Sequence, residues 1–328
     1  MTHPPRISVA GAGSIGCFVG GLLADQGHDV RFLGRSSTVA ACATHGLRLT
    51  DYSGLDVHLR APKVSNSAAQ SLGGADIVLV CVKSGDTAQM GAQIAEHAPD
   101  AVVISLQNGV ANAACLRDLL PHHDVRAAMV PFNVVPTGPG AYHRATSGDI
   151  LFEAGPLPDL DAPTLRWRGH PDIAGVQWGK LLINLGNAVN ALADIPLLEQ
   201  LQDRRWRRLM ADQMAEALRV LKAAGITPLK STAAKPQVIP HILRLPTPLF
   251  RLIAAQMLTI DAQARSSMWD DLNRGRKTEI DALQGAILDL AARYGRQAPL
   301  NARMHALIRA AEAEGEGPPG LSPGDIRP

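Results

Sequence analysis

Short, fully apolar runs alternate with longer stretches of helical period in the first half of the chain. Ile7–Ala10 reads as a strand, followed by a turn through Gly11-Ala12-Gly13-Ser14-Ile15-Gly16 and a small-residue helix reaching Gln26. Asp29–Leu33 reads as the next strand, and Ile77–Val82 is apolar at every position, as a parallel strand buried on both faces should be. Ala101–Leu106, Ala127–Val130 and Asp149–Phe152 continue the series. Strands separated by helices imply a parallel sheet with right-handed crossovers, an α/β doubly wound Rossmann-type architecture. From about Gln177 the strand signal ends. Gly179–Ala193, Leu197–Ala224 and Ser267–Tyr294 then carry helical periods, so the second half is expected to be all-α.

The expected division is a dinucleotide-binding domain over 1–173, a helical substrate domain over 174–314, and a tail over 315–328. That tail is rich in Gly and Pro, so it is expected to be disordered. A further interruption between 226 and 260 holds Pro228, Pro236, Pro240, Pro246 and Pro248, and is expected to form loops and short helices.

Charge narrows the function classes. With 32 Lys+Arg against 30 Asp+Glu, the net charge of +2 offers no field for nucleic acid or an acidic membrane. Arg204, Arg205, Arg207 and Arg208 cluster around Trp206, and the plain reading is a solvated helix face. The four cysteines form no CxxC pair, which suits a reduced cytoplasmic protein and argues against a disulfide scaffold or a metal site. No apolar run is long enough to span a bilayer, and the strand pattern starting at Ile7 leaves no room for a signal peptide.

Gly11, Gly13 and Gly16 form GxGxxG between a strand and a helix, the arrangement that brings a pyrophosphate to a helix N-terminus. Ser14 and Ile15 lie inside this loop and join the candidate cofactor contacts. Phe32-Leu33-Gly34-Arg35 ends the second strand without the acid that would take a ribose 2′-OH. Arg35, with the Ser36 and Ser37 hydroxyls, suits a 2′-phosphate and hence NADPH over NADH. Lys83-Ser84-Gly85-Asp86 and Gln107-Asn108-Gly109 follow two further strands and flank the same expected crevice.

In the helical half, Lys180, Asn184 and Asn187 fall at i, i+4 and i+7 of an otherwise apolar helix, with Asn190 at the stripe's edge. Buried polar groups need partners, so this stripe faces either a protein network or a bound polar ligand. Glu279 borders the apolar stripe of the last long period, where a carboxylate also needs a partner.

In this order, GAGSIGCFVGGLLADQGHDV, the following Gly-Arg, VKSGDT, LQNGV, WGKLLIN and SSMWDDLNRGRKTEID resemble the ketopantoate reductase family, from about Ile7 to Asn301. The resemblance implies an NADPH-binding Rossmann domain, a C-terminal domain of the 6-phosphogluconate dehydrogenase C-terminal type, and an active site in the cleft between. It implies reduction of 2-dehydropantoate to pantoate, in pantothenate biosynthesis, with Lys180 as proton donor and Glu279 as its supporting carboxylate. Asn184 and Ser267 match substrate-binding positions, Asn187 joins them as a candidate, and Asn108 lies by the nicotinamide. Arg35 and Lys83 match positions that meet the cofactor. The family's second helix asparagine is replaced by Ala188, and Asp86 stands where a glutamine is common. Ala188 keeps another 2-oxo acid open as substrate. A non-catalytic NADP-binding sensor is the remaining alternative, and a homodimer is among the assemblies left open.

Overall fold

The computed structural model describes residues 5–230, 234–255 and 261–327. It separates into two compact units, Met1–Ile173 and Ala174–Pro328.

Among the described residues the first unit carries twelve strands. These are β1 (Arg6–Ala10), β2 (Asp29–Leu33), β3 (Leu47–Asp51), β4 (Asp56–Leu59), β5 (Lys63–Ser65), β6 (Ile77–Val80), β7 (Val102–Ser105), β8 (Val125–Met129), β9 (Val134–Gly138), β10 (Ala141–Arg144), β11 (Ile150–Glu153) and β12 (Trp167–His170). Its helices are α1 (Ser14–Asp25), α2 (Ser36–His45), α3 (Ala68–Leu72), α4 (Thr87–His97) and α5 (Asn112–Leu119). The main sheet runs β12-β11-β8-β7-β6-β1-β2-β5. From β5 to β8 every pairing is parallel, and β11 then joins β8 in the opposite sense. The chain thus winds outward in both directions from β1, so the crevice beyond the carboxyl ends of β1 and β6 is the place for a ligand. Ile77, Val78, Leu79 and Val80 of β6 are all buried, which explains the unbroken apolar run.

A second sheet, β4-β3-β10-β9, was not expected. Its strands are short and mostly only partly buried, with β3 alone carrying more than one buried position, so they lack the continuous apolar signature of the main sheet. Helix α1 packs against both sheets. A side chain at Gly20 would strike Val9 and Phe32 of the main sheet, and one at Gly21 would strike Leu49 of the second.

The second unit is helical: α6 (Ile173–Asn184), α7 (Gly186–Ala193), α8 (Leu197–Gln202), α9 (Arg204–Ala223), α10 (Ile239–Arg244), α11 (Thr247–Ile253), α12 (Ser267–Asn273), α13 (Ala286–Arg293), α14 (Pro299–Glu314) and α15 (Pro323–Ile326). The single period expected over Leu197–Ala224 is two helices, because Asp203 breaks it and caps α9 by accepting from the Arg205 N–H. The period over Ser267–Tyr294 also divides. Gly275 takes a left-handed φ of +58° after α12, and the chain re-enters a helix at Ile280 through a wide π-turn over Asp281–Gly285.

Two expectations are corrected. The tail from 315 is ordered through Arg327: Leu321 N–H donates to Leu192 O at 2.8 Å, Ser322 and Asp325 form a capping box, and Ile326 is fully buried. One apolar side chain and a cap supply the anchoring that composition did not reveal. The arginine cluster is not a uniformly solvated face either, since Arg207 is 0% exposed. Its guanidinium donates to the carbonyls of Leu201, Gln202, Leu243 and Leu245 and to Thr247 Oγ1, and stacks 4.2 Å from the Phe250 ring centre. That one side chain ties α9 to the proline-rich segment, where Pro240 and Pro248 sit in the first turns of α10 and α11. Positions 231–233 and 256–260 of that segment lie outside the described residues.

Candidate active site

The glycine loop is shaped by contacts that no other residue type would allow. Gly11 has φ +115°, and the N–H groups of Gly11 and Ala12 both donate to Leu33 O, tying the loop to the end of β2. A Cβ at Gly16 would lie 2.2 Å from Gly11 O, so this glycine lets α1 close on its own loop. Gly13 differs. It is exposed, and a Cβ there would meet nothing within 4 Å, which leaves open space in front of the first N–H groups of α1. The first turn of α1, starting at Ser14 and Ile15, contains no acidic residue. Open space beside an uncapped helix N-terminus fits a pyrophosphate.

Arg35, Ser36 and Ser37 are exposed at the start of α2, and Arg35 Nη2 lies 4.0 Å from Asp86 Oδ2. Beyond β6 and β7, a chain of buried amides and hydroxyls joins the two loops that carry Lys83 and Asn108. Asn112 Nδ2 donates to Asn108 O at 2.6 Å and to Ser84 Oγ at 3.1 Å. Thr87 Oγ1 donates to Asn112 Oδ1 and accepts from Gln107 Nε2 at 2.7 Å, while Gln107 also donates to Val82 O. Thr87, Gln107 and Asn112 were missed as positioning residues. Their signal was available, since Gln and Asn beside an apolar strand must find partners.

In the helical unit, α6 carries Lys180 and, one turn later, Asn184; α7 carries Asn187 after an interruption at Leu185. Removal from water pulls the Lys180 ammonium down to about 8, and the charge of Glu279 acts in the opposite direction. Lys180 and Glu279 are therefore brought within electrostatic reach, although Lys180 sits on α6 and Glu279 in the bend just before the π-turn. Two further residues fix this arrangement. Gly179 has no side chain where one would sit 1.7 Å from Leu229 O, so the 229 segment lies directly against the helix beside Lys180. Gln284 is wholly buried in the π-turn following Glu279 and donates Nε2 to Leu185 O at 3.0 Å, at the α6–α7 interruption.

The asparagines divide by role. Asn190 is wholly buried and satisfied by protein: its Nδ2 donates to Ile195 O and Gln200 Oε1, and its Oδ1 accepts from Ser266 N–H. Asn184 and Asn187 are half-buried, and among the described residues neither side-chain amide is taken up by a hydrogen bond to protein. Ala188 is fully buried and offers no polar group. Ser267 is exposed at the start of α12, whereas Ser266 does the anchoring: its Oγ donates to Asn187 O and accepts from Trp269 N–H. Asp194, left-handed at φ +54° after α7, accepts from Trp269 Nε1 and Arg265 and ties the start of α12 to the end of α7.

A glycine loop at the switch point of a parallel sheet in one unit, and a buried lysine near a carboxylate in the other, are features of the dinucleotide-dependent oxidoreductase class. The family models agree: residues 7–156 match "Ketopantoate reductase PanE/ApbA" and residues 172–312 match its C-terminal domain. The chain belongs to the ketopantoate reductase family. It is 28% identical to the 2-dehydropantoate 2-reductase of Halobacterium salinarum, covering 94% of this chain and all of that one. A ketopantoate reductase family structure from Ralstonia eutropha superposes with a TM-score of 0.80 at 31% identity, covering 95% and 99% of the two chains. A D-mandelate dehydrogenase solved with NADH and anilino(oxo)acetate has a TM-score of 0.78 at 21% identity, covering 94% and 99%, a likeness of fold. Among the described residues, no helix is long and apolar enough to cross a membrane.

Proposed function

We propose that the protein reduces 2-dehydropantoate to pantoate with NADPH. The observation that carries this reading is Lys180, lowered to about 8 by burial and coupled to Glu279 in a chain of this family. Gly11, Gly13, Ser14, Ile15 and Gly16 would hold the pyrophosphate, Arg35 the 2′-phosphate, and Lys83 and Asn108 the remainder of the dinucleotide. Bound there, the cofactor supplies the hydride that the carbonyl carbon accepts.

The carbonyl oxygen gains negative charge as the carbon is reduced, and needs both a positive charge and a proton at that oxygen. Lys180 meets both needs. A lysine near 8 remains mostly protonated at neutral pH, yet releases its proton far more readily than one at 10.5. Glu279 keeps the ammonium charged despite its desolvation and restrains its position. The free amides of Asn184 and Asn187, with the Ser267 hydroxyl, would orient the polar ends of the substrate. The protein would work as a cytoplasmic enzyme, with a homodimer as its candidate assembly.

The test is initial-rate NADPH oxidation with 2-dehydropantoate beside a panel of other 2-oxo acids. The reading expects the highest kcat/KM for 2-dehydropantoate, and a higher value for another oxo acid would overturn the substrate assignment. Ala188 favours that second outcome more than any other residue, because it offers no hydrogen bond at its helix position.

A further inference from the structure

Arg35 and Asp86 follow the two strands that flank β1 in the sheet, one at the start of α2 after β2 and the other at the start of α4 after β6. Their side chains approach to 4.0 Å while remaining 80% and 50% exposed. A pair so exposed contributes little to folding. Asp86 also occupies the N-cap position of α4, where an aspartate ordinarily accepts from the helix's own N–H groups, yet its carboxylate makes no such bond. A carboxylate that neither caps its helix nor stabilises the fold is available to a ligand.

Resting on the assignment of a dinucleotide to this crevice, we propose that Asp86 sets how strongly the site distinguishes a 2′-phosphate from a 2′-hydroxyl on the adenosine ribose. In a sheet of this type the ribose lies beyond the end of β2, beside Arg35. A 2′-phosphate brings nearly two negative charges to that guanidinium, and Asp86 competes for the same cation while repelling the phosphate. A 2′-hydroxyl is neutral and can donate to the Asp86 carboxylate. The acid missing from the end of β2 is thus supplied from the turn after β6. Arg35 pulls the site toward the phosphorylated nucleotide and Asp86 pulls it back, so the preference for the 2′-phosphate is narrowed.

The test uses calorimetric binding of 2′,5′-ADP and 5′-AMP, the adenosine halves that differ only in the 2′ group, to the intact protein. Asp86→Asn keeps the shape of the side chain and removes its charge. Asp100→Asn, an exposed site before β7, is the control for net charge. The preference for 2′,5′-ADP should rise about tenfold in Asp86→Asn at low ionic strength, and this gain should shrink in about 1 M salt, where screening acts within about 3 Å. Arg35→Ala should remove the preference, and Asp100→Asn should leave it unchanged. An unaltered ratio in Asp86→Asn, with both nucleotides bound and the melting temperature unchanged, overturns the role of Asp86 alone. Failure of the wild-type protein to bind either nucleotide overturns the dinucleotide assignment itself.

Discussion

The two units build their candidate sites by opposite means. In the sheet unit the backbone does most of the work. Gly11 turns, Gly16 closes on Gly11 O, and Gly13 leaves space before the N-terminus of α1. In the helical unit the work falls to side chains whose state depends on packing: Lys180 is lowered by burial, and Asn190 is consumed by Ile195, Gln200 and Ser266. A backbone site is recognisable from residue types at fixed spacing. A side-chain site depends on which neighbour arrives from a distant part of the chain.

The most severe way to separate the units is to remove the proposed proton donor of the helical one. Lys180→Ala should lower kcat by about 10²–10⁴-fold while leaving the Kd for NADPH near that of the wild type. Equal losses in both quantities would show that the lysine serves the nucleotide instead.

Within the sheet unit, two glycines should respond differently to the same added methyl group. Gly16→Ala forces a Cβ to 2.2 Å from Gly11 O, so both melting temperature and NADPH affinity should fall sharply. Gly13→Ala meets no protein atom, so its melting temperature should match the wild type while NADPH binding weakens by about tenfold, as a blocked pyrophosphate approach predicts. A destabilised Gly13→Ala would contradict the open space assigned to the cofactor.

The helical unit offers a smaller, parallel contrast. Asn190→Ala strands the groups it satisfies and should reduce unfolding free energy by about 1–3 kcal/mol in urea melts. Asn184→Ala should change stability by about 0.5 kcal/mol or less, and instead raise KM for the oxo acid. If Asn184→Ala proves the more destabilising variant, the division of the asparagine stripe between protein and ligand fails.

The same contrast explains how far the sequence could be read. The parallel strands and GxGxxG were legible because buried strands and glycine turns leave compact local signatures. The β4-β3-β10-β9 sheet was not, because its strands are short, mostly partly exposed, and pair across nearly a hundred residues, as β3 does with β10. Lys180 and Asn184 stood out as polar residues on an apolar helix, but Asn190's place at the stripe's edge did not reveal that protein groups satisfy it. One of those groups is the Ser266 N–H, which reaches Asn190 across 76 positions. Arg207 shows the same limit. Its neighbours Arg204 and Arg205 bond at the surface, while a wholly buried guanidinium became intelligible only once α10 delivered carbonyl groups to it.

The central claim is that Lys180, held charged by Glu279, delivers the proton, and a pH–rate profile addresses it most directly. A protonated donor gives kcat/KM a plateau at low pH and a fall as pH rises through the lysine's value. The descending limb should therefore lie near pH 8. Because Glu279 raises the Lys180 value, Glu279→Gln should move that limb to lower pH, and Lys180→Ala should abolish it along with most of the rate. A limb that keeps its position in Glu279→Gln, or persists in Lys180→Ala, would contradict the account.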